Sequence, residues 1–234
     1  MKERSQMETI LRVWDAEQIK DLMSRRAMYS SNEERERELN ELWVTRPENR
    51  ETASFGRNYG YYVGMDAIRS YYVDAHRARV ARCGGVGCME AHAVSSPYLI
   101  LAEDGQTARG LWYSIGHETY PGSDGGLTPL WVMDKVAADF IKEDGAWKIW
   151  HLILSNDVWN PASVPMDALP DKLPEEMDWV KEEFGHPTVE MKTHEPLYLW
   201  SDNYPPMPEP YETYDPRHSY APEGHPNYRK EALV

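Results

Sequence analysis

The chain has 234 residues, 41% of them hydrophobic and 12% aromatic, which is enough for one large domain or one domain with an extension. Its formal net charge is −14 and no Lys/Arg-rich block offers itself to phosphates; nucleic-acid binding is disfavoured, because affinity for a polyanion comes mainly from cationic neutralisation. No stretch approaches the roughly 20 apolar residues of a spanning helix, and the N-terminal MKERSQMETILRVWDAEQ has no secretory apolar core, so a soluble cytoplasmic protein without membrane partners is expected.

Residues 8–29 place Leu11, Trp14, Ile19, Leu22, Met23 and Ala27 at helical spacing with no internal Gly or Pro, which predicts a long first helix. Ser31 and Glu34 have the S-x-x-E form of a capping box and predict the start of a second helix, with Leu39, Leu42 and Trp43 as its buried stripe. After Pro47 a polar, strand-like stretch leads into FGRNYGYYVG, whose glycines permit a turn and gather Arg57, Asn58, Tyr59, Tyr61 and Tyr62. MDAIRSYYVDAHRARVAR reads as a third helix, stopped by the glycines of CGGVGC. Cys83 and Cys88, the two cysteines, are expected as thiols in a reducing compartment.

Beyond Cys88 the period changes to that of strands. CMEAHAVSSPYLILAE, QTARGLWYSIGHETY, LWVMDKVAADFIK and AWKIWHLILSNDV predict a four-strand antiparallel meander, with AspGly hairpin turns at 104–105 and 144–145. Helices followed by a meander define an α+β fold. From Asn160 onward the composition shifts again. Thirteen of the seventeen prolines fall there, so neither sheet nor long helix can form, yet Trp179, Phe184, Tyr198, Trp200, Tyr204, Tyr211, Tyr214, Tyr220 and Tyr228 supply more aromatic surface than a disordered tail carries. The expected division is a barrel domain over 1–160 and, over 161–234, an extended arm on the barrel or on a neighbouring subunit, with one short helix at PEEMDWVKEEFG. Nine Trp and fifteen Tyr against three Phe suit pocket walls and subunit interfaces, and a homo-oligomer, dimer or trimer, built with the arm is expected.

Two-residue turns fix the register of each hairpin. In the first, paired numbers sum to 209, which sets His92 directly opposite His117 on one face; a bulge at SerSerPro, 95–97, would shift the pairing by one. Two facing imidazoles depress each other's basicity and provide a neutral proton acceptor near pH 7, as acid–base catalysis needs. Each alone could equally be a packing residue. In the second hairpin the sums are 289, placing Asp134 opposite Ser155 and His151 opposite Ala138. Asp134 is then either a strand-end residue or a partly buried group with a task. Tyr59, and Tyr29 at the end of the first helix, can orient a hydroxyl or transfer a proton; Arg57, Asn58, Tyr61, Trp112 and His151 are candidate substrate-binding residues. HExxH, P-loop and GxSxG motifs are absent, and nothing in the spacing demands a metal on His92, His117 and Asp134, so a cofactor-independent reaction is expected.

The helix ending near Tyr29, YYVGMDAIRSYY, the AHAVSSPYLILAEDGQTARGLWY hairpin and DGAWKIWHLIL together resemble the SnoaL-like branch of the nuclear transport factor 2-like superfamily, over about residues 8–160. That resemblance implies a curved sheet wrapped around helices as a cone-shaped α+β barrel, and cofactor-free dehydratase, isomerase or cyclase chemistry on polyketides, steroids or aromatic compounds. Scytalone dehydratase is similar in having two pocket histidines at about the spacing of His92 and His117, with tyrosines that activate water, which implies elimination of water. The aspartate that often pairs with the first histidine would fall near Ser31, leaving Asp134 as its substitute. The aromatic arm is similar to that of the diarylpropane γ-formaldehyde lyases of lignin-dimer catabolism, which lose water through a quinone methide and release formaldehyde. The expected activity is therefore a lyase on a hydroxylated aromatic molecule; a ketosteroid-type isomerase or polycyclic dehydratase, and a non-catalytic binding or assembly module, are the alternatives.

Overall fold

The computed structural model describes residues 4–121, 126–165, 181–182, 184–193 and 204–228. Most of the PEEMDWVKEEFG helix expectation, and Trp179, Tyr198 and Trp200, lie outside the described residues.

Helix α1 (Gln6–Ser31) opens on a capping box, but at Ser5 and Glu8: the Glu8 amide donates to Ser5 Oγ at 3.2 Å and Glu8 Oε2 accepts from the Ser5 amide at 2.7 Å. The box expected at Ser31 does not form, because α1 runs through Ser31 and Glu33, at φ 61°, turns the chain. Helix α2 (Arg35–Leu42) follows, capped by Glu34 with no side-chain bond. Ile19, Leu22, Met23, Ala27 and Ser30 form the buried stripe of α1, at i, i+3, i+4 spacing, whereas Leu11 and Trp14 are exposed. The stretch after Pro47 begins with a short helix, α3 (Pro47–Thr52), which the strand-like reading missed; Pro47 occupies the first turn, where its missing amide costs nothing.

FGRNYGYYVG is a hairpin of β1 (Ser54–Arg57) and β2 (Gly60–Val63). The third helix is present as α4 (Met65–Arg69) and α5 (His76–Ala81), joined by a π-helical turn over Ser70–Ala75. That turn directs Tyr71 and Tyr72 inward beside Phe55, with ring centroids 5.4 and 5.2 Å from it. Then come β3 (Met89–Leu101), β4 (Thr107–Pro121), β5 (Leu127–Glu143) and β6 (Ala146–Pro161), and a two-residue β7 (Val189–Glu190).

The sheet order is β3-β4-β5-β6-β1-β2-β7, antiparallel except for the parallel β1–β6 pair. The sheet curls around the helices without closing, so the α+β cone expected from the sequence is present. Long strands curl because extra residues bend them. Register shifts occur in β3 between Ser95 and Tyr98, and in the β5–β6 pair at Met133/Asp134 and Asp139/Phe140. One core of Trp43, Phe55, Ile68, Phe140, Ile149 and their neighbours fills the space between the helices and the inner face. A second, of Tyr61, Ala137, Ile153, Val189, Tyr204 and Tyr220, lies on the outer face.

Residues 187–193 and 204–228 lie over that outer face. Tyr204 and Tyr61 share a hydroxyl–hydroxyl bond of 2.6 Å, the Tyr220 amide donates to Asp139 Oδ2 at 2.7 Å, and the amides of Glu103 and Asp104 donate to the carbonyls of Tyr211 and Glu212. No helix among the described residues is long and apolar enough to cross a membrane.

Candidate active site

The bulge decides which side chains meet. In β4 the inner residues are even-numbered: Ala108, Trp112, Ser114, Gly116, Glu118 and Tyr120. In β3 the two residues Ser96 and Pro97 stand against Trp112 alone, one residue too many, so Leu99 and Leu101 face inward before the bulge and Val94, His92 and Glu90 after it. His92 therefore lies opposite Gly116, and His117 opposite Ala91. The expected facing pair does not exist. His117 is on the outer face, edge-on to Trp131 with centroids 5.6 Å apart, and so shares no ligand position with His92 and Asp134.

His92 lies across the backbone of Gly116. A Cβ there would stand 2.5 Å from His92 Nδ1, so only glycine leaves room for the ring. In this position Nε2 is 2.9 Å from Glu118 Oε1, and Nδ1 is 3.1 Å from Ser114 Oγ and 3.9 Å from Asp134 Oδ2. Burial works against the charged imidazole, but the bond to Glu118 and the charges of Asp134, Glu118 and Glu90 outweigh it and raise the His92 pKa above its usual value. Asp134 lies beside Ser114 on one side and Asn156 on the other, and Asn156 Nδ2 donates to its Oδ1 at 2.5 Å. Burial pushes Asp134 up to about 7, against the pull of His92 and Arg57. Trp159 Nε1 donates to Glu118 Oε2 at 3.1 Å, fixing the second carboxylate.

These groups line one cavity with Arg26, Ser30, Arg35, Arg57, Tyr71 and Tyr120. Glu90 is held from three sides, by the Arg35 guanidinium, the Tyr120 hydroxyl and the Ser30 hydroxyl. Burial would raise its pKa, but Arg35 and His92, helped by those hydroxyls, hold it near 2. Ser30 thus faces the cavity next to Ser31, the position near which the resemblance put the paired aspartate. Arg57, at the end of β1, donates from Nη2 to Asn156 Oδ1 at 2.9 Å, and its Nε has no hydrogen-bond partner among the described residues. Desolvation disfavours its charge, but Tyr71, Tyr59, Asp134 and Glu118 raise its pKa further. The cavity is an ionic network over aromatic walls.

Of the other candidates, Tyr59 is buried in the main core and donates its hydroxyl to that of Tyr71 at 3.4 Å, one residue removed from the cavity. Asn58 grips the Asn156 backbone at both its carbonyl and its amide, 2.9 Å each, and so steadies the residue that holds Asp134 and Arg57. Tyr29 points away, donating to Glu41 Oε2 at 2.7 Å. Trp112 packs edge-on to Phe140 in the core. Tyr61 and His151 are on the outer face. The register shift at Asp139/Phe140 pairs His151 with Asp139 rather than Ala138, and the shift at Met133/Asp134 pairs Asp134 with Asn156 rather than Ser155. His151 sits between Ser54 Oγ at 3.0 Å and the Tyr214 hydroxyl at 3.3 Å, and burial lowers it to about 3. Glu90, Ser114, Glu118, Tyr120, Trp159 and Gly116 were missed. The parity of β3 beyond Pro97 and of its partner β4, read with the bulge in place, is the signal that finds all but Trp159, whose face depends on the register shifts of β6.

A curved, unclosed sheet around N-terminal helices, with a titratable cluster on its inner face, defines a small-molecule-binding or catalytic domain of the nuclear transport factor 2-like fold. The SnoaL-like domain model matches residues 11–153, and the chain belongs to that family. Among solved structures it is similar to the hexachlorocyclohexane dehydrochlorinase LinA-type3 of Novosphingobium barchaimii LL02, at 15% identity and TM-score 0.51 over 68% of this chain and 97% of that one. It is also similar to Rv3472, a protein of Mycobacterium tuberculosis described as of unknown function, at 18% identity and TM-score 0.51 over 80% and 98%. These likenesses concern the fold. No curated protein matches the chain.

Proposed function

We propose that the protein is a lyase that eliminates water from a hydroxylated aromatic molecule, with His92 as the proton-transfer group. One observation carries this reading: an imidazole lying between two carboxylates, Glu118 and Asp134, on the wall of a cavity. Its raised pKa favours the imidazolium, which can protonate a departing hydroxyl. Arg57, with Nε unpartnered among the described residues, stands where a phenolate would be stabilised. The aromatic walls of Phe55, Tyr71, Tyr72 and Trp159 offer faces on which an aromatic ring can stack.

For a diarylpropane diol with a para-phenol, the phenol loses its proton and the benzylic carbon–oxygen bond breaks. His92 delivers a proton, so that water leaves, and a quinone methide remains. The terminal hydroxyl then loses its proton, the adjoining carbon–carbon bond breaks, and formaldehyde departs as its electron pair restores the phenolate, leaving a diarylethene. Turnover on a panel of phenolic diols and hydroxylated polycycles, read by product mass, tests this. Loss of water, with or without formaldehyde, is expected. Unchanged mass with a moved double bond would establish isomerisation instead, and binding without conversion would establish a carrier.

The protein acts as a homo-oligomer in this reading. On the outer face beyond the residues covered by 204–228, Met89, Tyr113, Ile115 and Trp131 are 44–58% exposed around His117. A second copy of this face is the occupant that avoids the chain's own negative charge, since the patch carries little of it.

A further inference from the structure

The cavity does not use the loop between α5 and β3, where Cys83 and Cys88 lie. Their Sγ atoms are 2.8 Å apart, well inside van der Waals contact and about 0.8 Å longer than a bonded pair at ~2.0 Å. We propose that Cys83 and Cys88 form a reversible dithiol–disulfide site that reacts with low-molecular-weight disulfides of the glutathione type.

The backbone prepares this approach. The Val86 amide donates to the Cys83 carbonyl and the Cys88 amide to the Gly85 carbonyl, each at 3.3 Å, folding the six residues back on themselves. Gly84, Gly85 and Gly87 stand at φ 62°, 78° and 80°, conformations that most side chains resist, so the glycine-rich spacing is what allows two cysteines five apart to meet. Both thiols are half-buried, within reach of a small disulfide. Metal binding is a poorer account, because no group of three or more His, Cys, Asp and Glu among the described residues could hold an ion.

The exchange runs in two steps. The Cys83 thiolate attacks one sulfur of oxidised glutathione, breaking that disulfide, forming a mixed disulfide and releasing one reduced glutathione. The Cys88 thiolate then attacks Cys83 Sγ, breaking the mixed disulfide and releasing the second. The protein loses two hydrogens and two electrons, which the oxidised glutathione gains. Burial, and then the neighbouring thiol, push the Cys88 thiol up to about 11; the same two exchanges opened by Cys88 would give the same products. The closed loop would tie α5, which brings His76 and Arg79 to the cavity, to β3, which brings Glu90 and His92.

The test is intact mass and peptide mapping of the reduced full chain after exposure to oxidised glutathione. The expected product has lost two hydrogens, carries a Cys83–Cys88 cross-link and no glutathione, and is restored by dithiothreitol. Cys88→Ser should instead trap one glutathione on Cys83. Stable glutathione adducts on the unaltered chain, or an unchanged mass, would overturn the proposal, as would Cys88→Ser failing to take up the adduct at Cys83.

Discussion

His92 has Glu118 on one ring nitrogen and Ser114 with Asp134 on the other, so its charge state is set by neighbours contributed by two other strands. The imidazolium persists above the usual imidazole value, and the rate of acid-assisted elimination falls only as pH rises through that raised pKa. Asp134→Asn withdraws one of the charges that raise it. The alkaline limb of the kcat/KM profile should therefore move to lower pH in Asp134→Asn, and a limb left in place would show that Asp134 does not act on His92. The individual residues were partly legible. Asp134 reads as suspicious in sequence because a carboxylate among Val136, Ala138 and Phe140 must be paired or exposed. Glu90 and Glu118 do not stand out, since nothing in a strand of mixed polarity tells which face is inner until its register is known.

At the scale of elements, the hairpin arithmetic holds from the turn as far as Tyr98 opposite Leu111 and fails at the next step. The unbulged register would have left His92 on the same face as His117, and that face is the outer one, beside Tyr113 and Ile115. Ser96 and Pro97 are thus what turns His92 inward. Ser96 adopts φ 53°, a left-handed conformation that serine seldom takes, and the adjacent proline cannot donate to a ladder. Deleting Ser96 removes the extra residue and should turn Glu90 and His92 outward, abolishing turnover while most of the helical circular dichroism signal remains. A deletion variant that kept wild-type activity would mean that the bulge does not position the site. The same physics explains why β6 was misread: an added residue at Trp150 and another at Asp157 each exchange its faces, and periodicity alone cannot place such insertions. Helix periods, turn glycines and the change from helix to strand at Cys88 carry no such ambiguity, which is why the architecture was legible where the register was not.

For the molecule as a whole, the outer face of the sheet has two parts. Tyr204, Tyr211, Tyr214 and Tyr220 lie over the part near the hairpin turns, where Arg109 stacks 4.2 Å from the Tyr211 ring and Asp139 accepts the Tyr220 amide. The other part, around Ile115, is apolar and uncovered by the described residues. If two copies join there, Ile115→Glu should yield a monomer by sedimentation with its helical content intact, whereas an unchanged oligomer would assign assembly to another surface, the C-terminal segment foremost.

The account rests on His92 as the proton-transfer group and on His117 as a residue of the outer face, and comparing His92→Gln with His117→Gln on the same phenolic diol tests it most directly. His92→Gln should lower the chemical rate by about a hundredfold or more, with thermal unfolding still cooperative, while His117→Gln stays within a few-fold of the parent. Equal losses in the two variants, or a loss confined to His117→Gln, would contradict it.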